Sequence, residues 1–486
     1  MIKKLPYTFA NTYNLLVNVD DLGTHIYHLP APNLNALAEV RRVTLPPWHL
    51  HPIHDTEFQK MLSDSYESAL DVAGQVGEDL DLSKLANQLP TTEDLLESAD
   101  DAPIIRLINA MFTQAIKRQA SDIHIETYET RVLVRFRIDG ILHEALELKR
   151  LIAPLVISRI KVMAKLDIAE KRIPQDGRIS LKISQHIIDV RVSTLPSNHG
   201  ERIVLRILDK QAANLDLNLL GMPADTLKIT KSMIQEPHGI ILITGPTGSG
   251  KTTSLYAMLT TINQVTQNIL TIEDPIEYDL PGIGQTQVNP KVEMTFAKGL
   301  RAILRQDPDV VMIGEIRDLE TADIAIQASL TGHLVLSTLH TNSALASLTR
   351  LRDMGVESFL LSTSLTGLIA QRLVRKLCPH CKIRRLIRQD EADVMKIVAK
   401  NVSSTYIYEP AGCEQCSNTG YHGRTGIYEV IPFDEKLRSF THRNAELAQI
   451  EAYLRPRVPS IQDDGFRRVL TGDTSLPEIL RVTTQI

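Results

Sequence analysis

The chain has 486 residues, of which 43% are hydrophobic and 23% are charged, and its formal net charge is −5. This length exceeds what one hydrophobic core supports, so several domains are expected, and the composition excludes a disordered or fibrous protein. The negative net charge provides no general attraction for nucleic acid, which is therefore not an expected partner.

The N-terminal hundred residues predict a small module followed by a linker. Lys3 and Lys4 are not followed by an apolar region of signal-peptide length, and no apolar stretch of the chain approaches the roughly 18 residues that cross a bilayer. We therefore expect a cytoplasmic protein, with an independently folded module at 1–65. Residues 67–101 contain ten acidic residues and one lysine, which predicts a solvated acidic linker at 66–101.

An α+β domain is predicted at 102–209. Apolar residues recur at helical spacing after Pro103, and a second helical stretch lies near 151–166. Alternating apolar residues predict a hairpin that is closed by Asp139 and Gly140. Further strands of the same alternating type are predicted at 179–183, 188–192 and 203–207.

The segment 219–375 has a different pattern, in which short apolar runs alternate with helical stretches. The runs 240–243, 269–272 and 310–313 are apolar throughout, as in strands that are buried on both faces. The pattern predicts an α/β fold in which helices cover a parallel sheet.

A phosphate-binding loop is predicted directly after the first of these runs. Residues 245–252 read GPTGSGKT and match G-x-x-x-x-G-K-[ST] between a strand and a helix. Glycines let main-chain N–H groups converge on phosphate oxygens, Lys251 neutralises phosphate charge, and the Thr252 hydroxyl group reaches Mg²⁺. An ATP and Mg²⁺ site is therefore predicted. Its nucleotide-binding residues are Gly245, Pro246, Thr247, Gly248, Ser249, Gly250, Lys251, Thr252 and Thr253.

Carboxylates decide between ATP hydrolysis and nucleotide binding alone. Glu273, Asp274 and Glu277 follow one apolar run, and Glu315 follows another, which places both groups at the carboxyl ends of strands beside the loop. One group can orient Mg²⁺ while the other positions the attacking water. Each acid taken alone is equally compatible with a helix cap or a solvated loop, but their joint placement favours hydrolysis.

Several short segments stand in one order along the chain: 121–126, 135–140, 174–178, 199–202, 245–252, 271–277, 300–309 and 336–342. In this order they resemble the secretion ATPase superfamily from about residue 100 to the C-terminus. Within it, the chain is most similar to type II secretion ATPases and next to type IV pilus assembly ATPases. Thr127 departs from the family pattern, which usually has proline there.

The resemblance implies a RecA-like P-loop core preceded by a PAS-like α+β domain, in a hexameric ring. It implies that Glu277 activates water and that Glu315 orders Mg²⁺, although the two roles could be exchanged. Arg191 and Arg206 match arginines that reach the nucleotide from the preceding domain, whereas a surface ion pair is the alternative for each. The resemblance also places His340 near the γ-phosphate. Arg301 and Arg305 stand four residues apart on one face of the helix before the second acidic group and are further candidates to approach the phosphates.

All four cysteines fall in two C-x-x-C pairs, Cys378 with Cys381 and Cys413 with Cys416. Four thiolates predict a tetrahedral structural Zn²⁺ site in an insertion at 376–425, before a C-terminal helical region at 426–486. Redox-active pairs and an iron–sulfur cluster are alternatives, and His380 could replace one thiolate. The run 412–426 also resembles the zinc module of secretion and pilus assembly ATPases.

The leading hypothesis is an ATPase that couples ATP hydrolysis to pseudopilus assembly and protein export in a type II secretion system. The resemblance implies that the N-terminal module docks on the cytoplasmic domain of an inner-membrane protein, and that an inner-membrane platform protein is a second partner. The ATPase would then associate peripherally with the inner membrane. Three alternatives remain: a type IV pilus assembly ATPase, a DNA uptake or conjugation ATPase, and a nucleotide-gated scaffold with little turnover.

Overall fold

A computed structural model of the chain describes residues 13–20, 23–30, 32–54, 102–183, 186–209, 215–397 and 399–484, with the single positions 5, 58, 61 and 82. The chain divides into two compact units, 1–138 with 142–207 and 139–141 with 208–486. The predicted acidic linker at 66–101 lies outside the described residues except for Leu82.

The N-terminal part of the first unit is a three-stranded sheet with one helix. Its elements are β1 (Leu15–Asp20), β2 (Gly23–His28), α1 (Leu34–Val43) and β3 (Trp48–Pro52). Strand β1 is antiparallel to β2 and β3 is parallel to it, so the helix makes the crossover. The Asn33 side chain caps the helix by accepting from two main-chain N–H groups, and Ile26 and Val40 are buried in the small core.

The rest of the first unit is a six-stranded sheet with two helices. Its strands are β4 (Ala120–Thr127), β5 (Arg131–Ile138), β6 (Ile141–Lys149), β7 (Gln175–Ile183), β8 (His186–Ser197) and β9 (Gly200–Asp209), in the spatial order β6-β5-β4-β9-β8-β7. Its helices are α2 (Ala102–Lys117) and α3 (Ala153–Met163). Alternate residues such as Val132, Val134 and Phe136 enter one core, as the sequence pattern predicted.

The second unit contains a seven-stranded sheet. Its strands are β10 (Gly239–Thr244), β11 (Ile269–Glu273), β12 (Gly284–Gln287), β13 (Val310–Ile313), β14 (Leu334–Leu339), β15 (Leu365–Leu377) and β18 (Tyr421–Pro432), in the order β12-β11-β13-β14-β10-β15-β18. Every neighbouring pair is parallel except β15 with β18. In β10, Ile240 and Leu242 enter one hydrophobic core, and Ile241 and Ile243 enter the other. This burial on both faces explains the uninterrupted apolar run.

Helices surround this sheet and form the C-terminal part of the chain. They are α4 (Ala224–Met233), α5 (Lys251–Ile262), α6 (Phe296–Ile303), α7 (Leu319–Leu330), α8 (Ala346–Asp353), α9 (Ser358–Ser364), α10 (Gln389–Val394), α11 (Glu435–His442), α12 (Leu447–Leu454), α13 (Ile461–Leu470) and α14 (Leu476–Thr483). Among the described residues, no helix combines the length and apolar character that crossing a membrane requires.

Two strand features lie beyond the predicted parallel core. A small two-stranded antiparallel sheet, β16 (Ile383–Leu386) with β17 (Tyr406–Glu409), stands between the two cysteine pairs. Strand β18 continues to Pro432, so the segment 426–432 is part of the main sheet although a helical region was expected to begin at 426. Ile427 and Ile431 of this strand are buried in the core, which accounts for its extended form.

Candidate nucleotide and zinc sites

The predicted phosphate loop joins the carboxyl end of β10 to the first residue of α5. Gly250 has φ +87°, and a Cβ atom on it would lie 2.8 Å from Nε2 of Gln371. A Cβ atom on Gly245 would lie 2.5 Å from the main-chain oxygen of Gln371. Only glycine fits at these two positions, so the loop packs closely against β15 and presents its N–H groups at a helix N-terminus.

Lys251 is buried and lies across its own loop. Its Nζ donates to the main-chain oxygens of Gly245 at 2.8 Å and Pro246 at 3.1 Å. Burial lowers the pKa of Lys251 to about 8; the nearby Glu315 carboxylate opposes this shift and Arg372 adds to it. The ammonium group is therefore held by weak partners and favours an anionic ligand that would replace them.

Glu315 follows β13, and its carboxylate lies beside the side chains of Arg317 and His340. Nε2 of His340 lies 3.2 Å from this carboxylate, which also forms an ion pair with Arg317. The Glu315 side chain is 15% exposed, whereas those of Arg317 and His340 are largely exposed. The structure therefore brings together Lys251, Glu315 and His340, which the sequence placed in one site.

The other predicted acids lie at the end of β11, where Glu273 is the last residue, and on the loop that follows it, which carries Asp274 and Glu277. Glu273 is buried, and its carboxylate accepts from the hydroxyl groups of Tyr256 and Thr271. Glu277 is half-buried, and its main-chain N–H donates to the Tyr256 hydroxyl group at 3.2 Å. Asp274 is exposed, and its charge helps to raise the pKa of Arg317. Tyr256 of α5 thus links the helix that follows the phosphate loop to Glu273 and to the loop that carries Glu277.

The predicted arginines have protein partners. On the second unit, Arg301 donates to Glu320 at 2.7 Å, and Arg305 donates to the main-chain oxygen of Arg301 at 2.8 Å. On the first unit, Arg206 donates from Nε to Asp122 at 3.0 Å, and Arg191 pairs across the sheet with Arg178. A nucleotide-binding role for these arginines stays a prediction.

Residues of β15 belong to the site although sequence reasoning did not select them. Arg372 is buried, its pKa is lowered by burial, and its charge acts on Lys251. Gln371 accepts from the Ser254 hydroxyl group of α5 at 2.7 Å and packs against the phosphate loop. The sequence could have indicated both residues, because they form a polar pair inside the apolar run 368–374. A polar side chain in a buried strand costs free energy unless it has a hydrogen-bond partner or a ligand.

The four cysteines form one cluster. The Sγ atoms lie within 4.8 Å of one another, and Cys378 with Cys413 and Cys381 with Cys416 are each 3.8 Å apart. Tetrahedral Zn²⁺ with bonds of about 2.3 Å requires sulfur atoms about 3.8 Å apart, so the cluster fits this ion.

The thiols differ in their readiness to ionise. Burial alone would raise the pKa of Cys416, but the main-chain N–H groups of Cys413 and Gly420, which donate to its sulfur at 3.2 Å each, lower it to about 6. Burial raises the pKa of Cys381 to about 11. A cation between the sulfurs would stabilise all the thiolates together.

Two protein families match consecutive parts of the chain. Residues 97–481 match the family described as "Type II/IV secretion system protein", and residues 4–66 match a domain family of "GSPII protein E". The chain is 55% identical to a type II secretion system protein E of Pseudomonas aeruginosa, over 99% of this chain and 97% of that one. It is 54% identical to the type II secretion system ATPase E of Vibrio cholerae, over 100% and 97% of the two chains.

Solved structures share the fold. The pilus retraction motor PilT with bound ADP is similar with a TM-score of 0.52 and 26% identity, over 76% of this chain and 95% of that one. The ATPase DotB of Legionella pneumophila is similar with a TM-score of 0.57 and 20% identity, over 79% and 96% of the two chains. The second likeness concerns the fold alone.

A loop for phosphates, a buried lysine and adjacent carboxylates together provide the groups that phosphoryl transfer to water requires.

Proposed function

The chain belongs to the family of type II/IV secretion system proteins, and from this we propose that it hydrolyses ATP to drive protein export through a type II secretion system. One observation carries the proposal: the buried Lys251 of the phosphate loop lies in the electrostatic field of Glu315 at the ends of parallel strands. The type II secretion ATPase of V. cholerae, 54% identical over the whole chain, supports the assignment to secretion.

In the proposed reaction the phosphate loop binds ATP, and Lys251 leaves the Gly245 and Pro246 oxygens for the β- and γ-phosphates. Bound Mg²⁺ would be held by Thr252 and, through water, by Glu315, and it would neutralise phosphate charge. Glu277 orients and deprotonates the attacking water, with Glu315 as the alternative for this role. Arg191 and Arg206 are proposed as further cations for the nucleotide on the family resemblance alone.

We also propose that the ATPase works as a hexamer at the cytoplasmic face of the inner membrane. The N-terminal module would dock on the cytoplasmic domain of an inner-membrane protein, and a membrane platform protein would receive the motion. The separate family match of residues 4–66 supports a distinct docking module. The product of the motion would be an elongating pseudopilus.

Zn²⁺ is proposed to stabilise the segment 376–425 through the four thiolates. The double change Cys413→Ser and Cys416→Ser should reduce zinc from one ion per chain to none and lower the melting temperature, because the ion closes this segment. ATP binding should stay within about twofold, since the phosphate loop and its carboxylates precede residue 320. Elemental analysis and calorimetric ATP titration measure the two effects.

His380→Ala is the matched control for the zinc experiment. His380 is exposed and lies between Cys378 and Cys381 in sequence, and the sequence offered it as a replacement for one thiolate. The variant should keep one zinc ion per chain. Metal-free wild-type protein, purified without chelators and with four titratable thiols, would refute the zinc proposal.

Deletion of the gene tests the proposed function in the organism that encodes it. We expect proteins normally found in the culture medium to accumulate inside the cells, and wild-type protein, but not Lys251→Ala, to restore export. Quantitative proteomics of the medium measures this effect. Normal export with loss of surface pili would favour the pilus alternative, and DNA-stimulated turnover of the purified protein would favour the DNA alternative.

A further inference from the structure

A buried tyrosine on the helix after the phosphate loop joins two acidic residues. Tyr256 lies four residues after Thr252 on α5 and is 0% exposed. Its hydroxyl group donates to Oε2 of Glu273 and accepts the main-chain N–H of Glu277 at 3.2 Å. One hydroxyl group thus connects the phosphate-binding helix, a buried carboxylate and the loop that carries Glu277.

Glu273 is enclosed by donors from the protein. Its Oε1 accepts from the Thr271 hydroxyl group at 2.6 Å and from Nε2 of Gln285 at 3.0 Å, while Oε2 accepts from Tyr256. The residue is 3% exposed. Three donors on two buried oxygens fix the carboxylate in place, so it provides a rigid anchor for the tyrosine.

The direction of both tyrosine bonds is fixed. Burial, and next the hydrogen bond to Glu273, raise the pKa of Tyr256 far above its ordinary value. The hydroxyl group therefore stays protonated at physiological pH and donates a hydrogen bond to Glu273. Its oxygen remains available to accept the N–H of Glu277.

The loop after β11 has other ties that do not involve the tyrosine hydroxyl group. Nε2 of Gln285 donates to the main-chain oxygen of Tyr278 at 3.0 Å, and Leu280 N–H donates to Oε1 of Gln285 at 2.7 Å. The rings of Tyr256 and Tyr278 also meet edge to face with centroids 6.0 Å apart. A phenylalanine at 256 would keep these contacts and would lose the hydrogen bonds of the hydroxyl group, including the one to Glu273 and the one from the main-chain N–H of Glu277.

We propose that Tyr256 is a positioning residue for ATP hydrolysis, which fixes Glu277 relative to the phosphate-binding helix and is itself fixed by Glu273. The proposal rests on the proposed function, because it requires Glu277 to act on the attacking water. Glu273 then works through Tyr256 and does not contact the nucleotide. A displacement of about 1 Å in a catalytic group can cost about 100-fold in rate, so the loss of one tie is enough to matter.

Tyr256→Phe tests the proposal in the full-length protein. We expect kcat for ATP hydrolysis to fall about 10- to 100-fold while KM for ATP stays within about threefold, because phosphate binding does not involve Glu277. Tyr453→Phe is the matched control, since its hydroxyl group also donates to a carboxylate, that of Asp434, in the C-terminal helices. That variant should keep wild-type kcat.

A double-mutant cycle with Glu273→Gln separates positioning from a direct role of Glu273. If both residues belong to one link, the double variant should lose no more kcat than the more damaged single variant. Additive losses would overturn the proposal, as would a kcat of Tyr256→Phe within twofold of wild type, or equal losses in ATP binding and turnover. If the wild-type protein itself hydrolyses no ATP, the proposed function fails first.

Discussion

Lys251→Ala is expected to reduce ATP hydrolysis by at least about 100- to 1,000-fold, the loss typical of removing one preorganised charge from a transition state. Nζ of Lys251 lies within the phosphate loop and donates to the main-chain oxygens of Gly245 at 2.8 Å and Pro246 at 3.1 Å. ATP would replace these weak partners with phosphate oxygens. Steady-state hydrolysis and calorimetric ATP binding of the purified variant measure the effect.

The fold should survive this change. Burial lowers the pKa of Lys251 to about 8, which means that the folded protein holds the ammonium group at a cost, and alanine removes that cost together with two hydrogen bonds. Lys231→Ala is the matched control, because Lys231 is half-buried in the same unit and its ammonium group donates to Asn218 at 2.7 Å. Turnover of Lys251→Ala within about threefold of wild type would refute the phosphate-loop assignment.

The sequence predicted the parts of the site that depend on local pattern. The loop at 245–252 contains its own glycines, lysine and threonine, and the apolar runs before Glu273 and Glu315 mark the strand ends that present these acids. Parallel strands place their carboxyl ends at one edge of a sheet, so the grouping of the acids followed from the fold class. The family match and the solved relatives confirm that class.

The parts that could not be predicted depend on contacts between distant segments. Arg372 affects Lys251 only because β15 pairs with β10, and no local pattern specifies that pairing. Strand β18 likewise joins the sheet through β15, and although Ile427, Tyr428 and Val430 favour extended structure, no local pattern specifies that pairing. The link from Tyr256 to Glu273 spans 17 residues and joins a helix to a strand end. The assignment of Glu273 to the nucleotide stays a prediction.

Glu277→Gln is expected to leave ATP bound but to reduce turnover by about 100- to 10,000-fold, the contribution typical of a general base. The amide keeps the size of the carboxylate and cannot take a proton from water. The main-chain bond from Glu277 to Tyr256 does not depend on the side chain, so the loop should stay in place. Single-turnover hydrolysis and calorimetric ATP binding separate the two steps.

Two comparisons make the result on Glu277 decisive. Glu293→Gln is the matched control, because Glu293 is exposed and forms an ion pair with Lys298. This variant should hydrolyse ATP at the wild-type rate. Glu315→Gln removes a carboxylate that is held by His340 and Arg317 and should also weaken the dependence of turnover on Mg²⁺. If Glu277→Gln hydrolyses ATP normally while Glu315→Gln loses turnover with unchanged Mg²⁺ dependence, the two roles are exchanged and Glu315 is the residue that activates water.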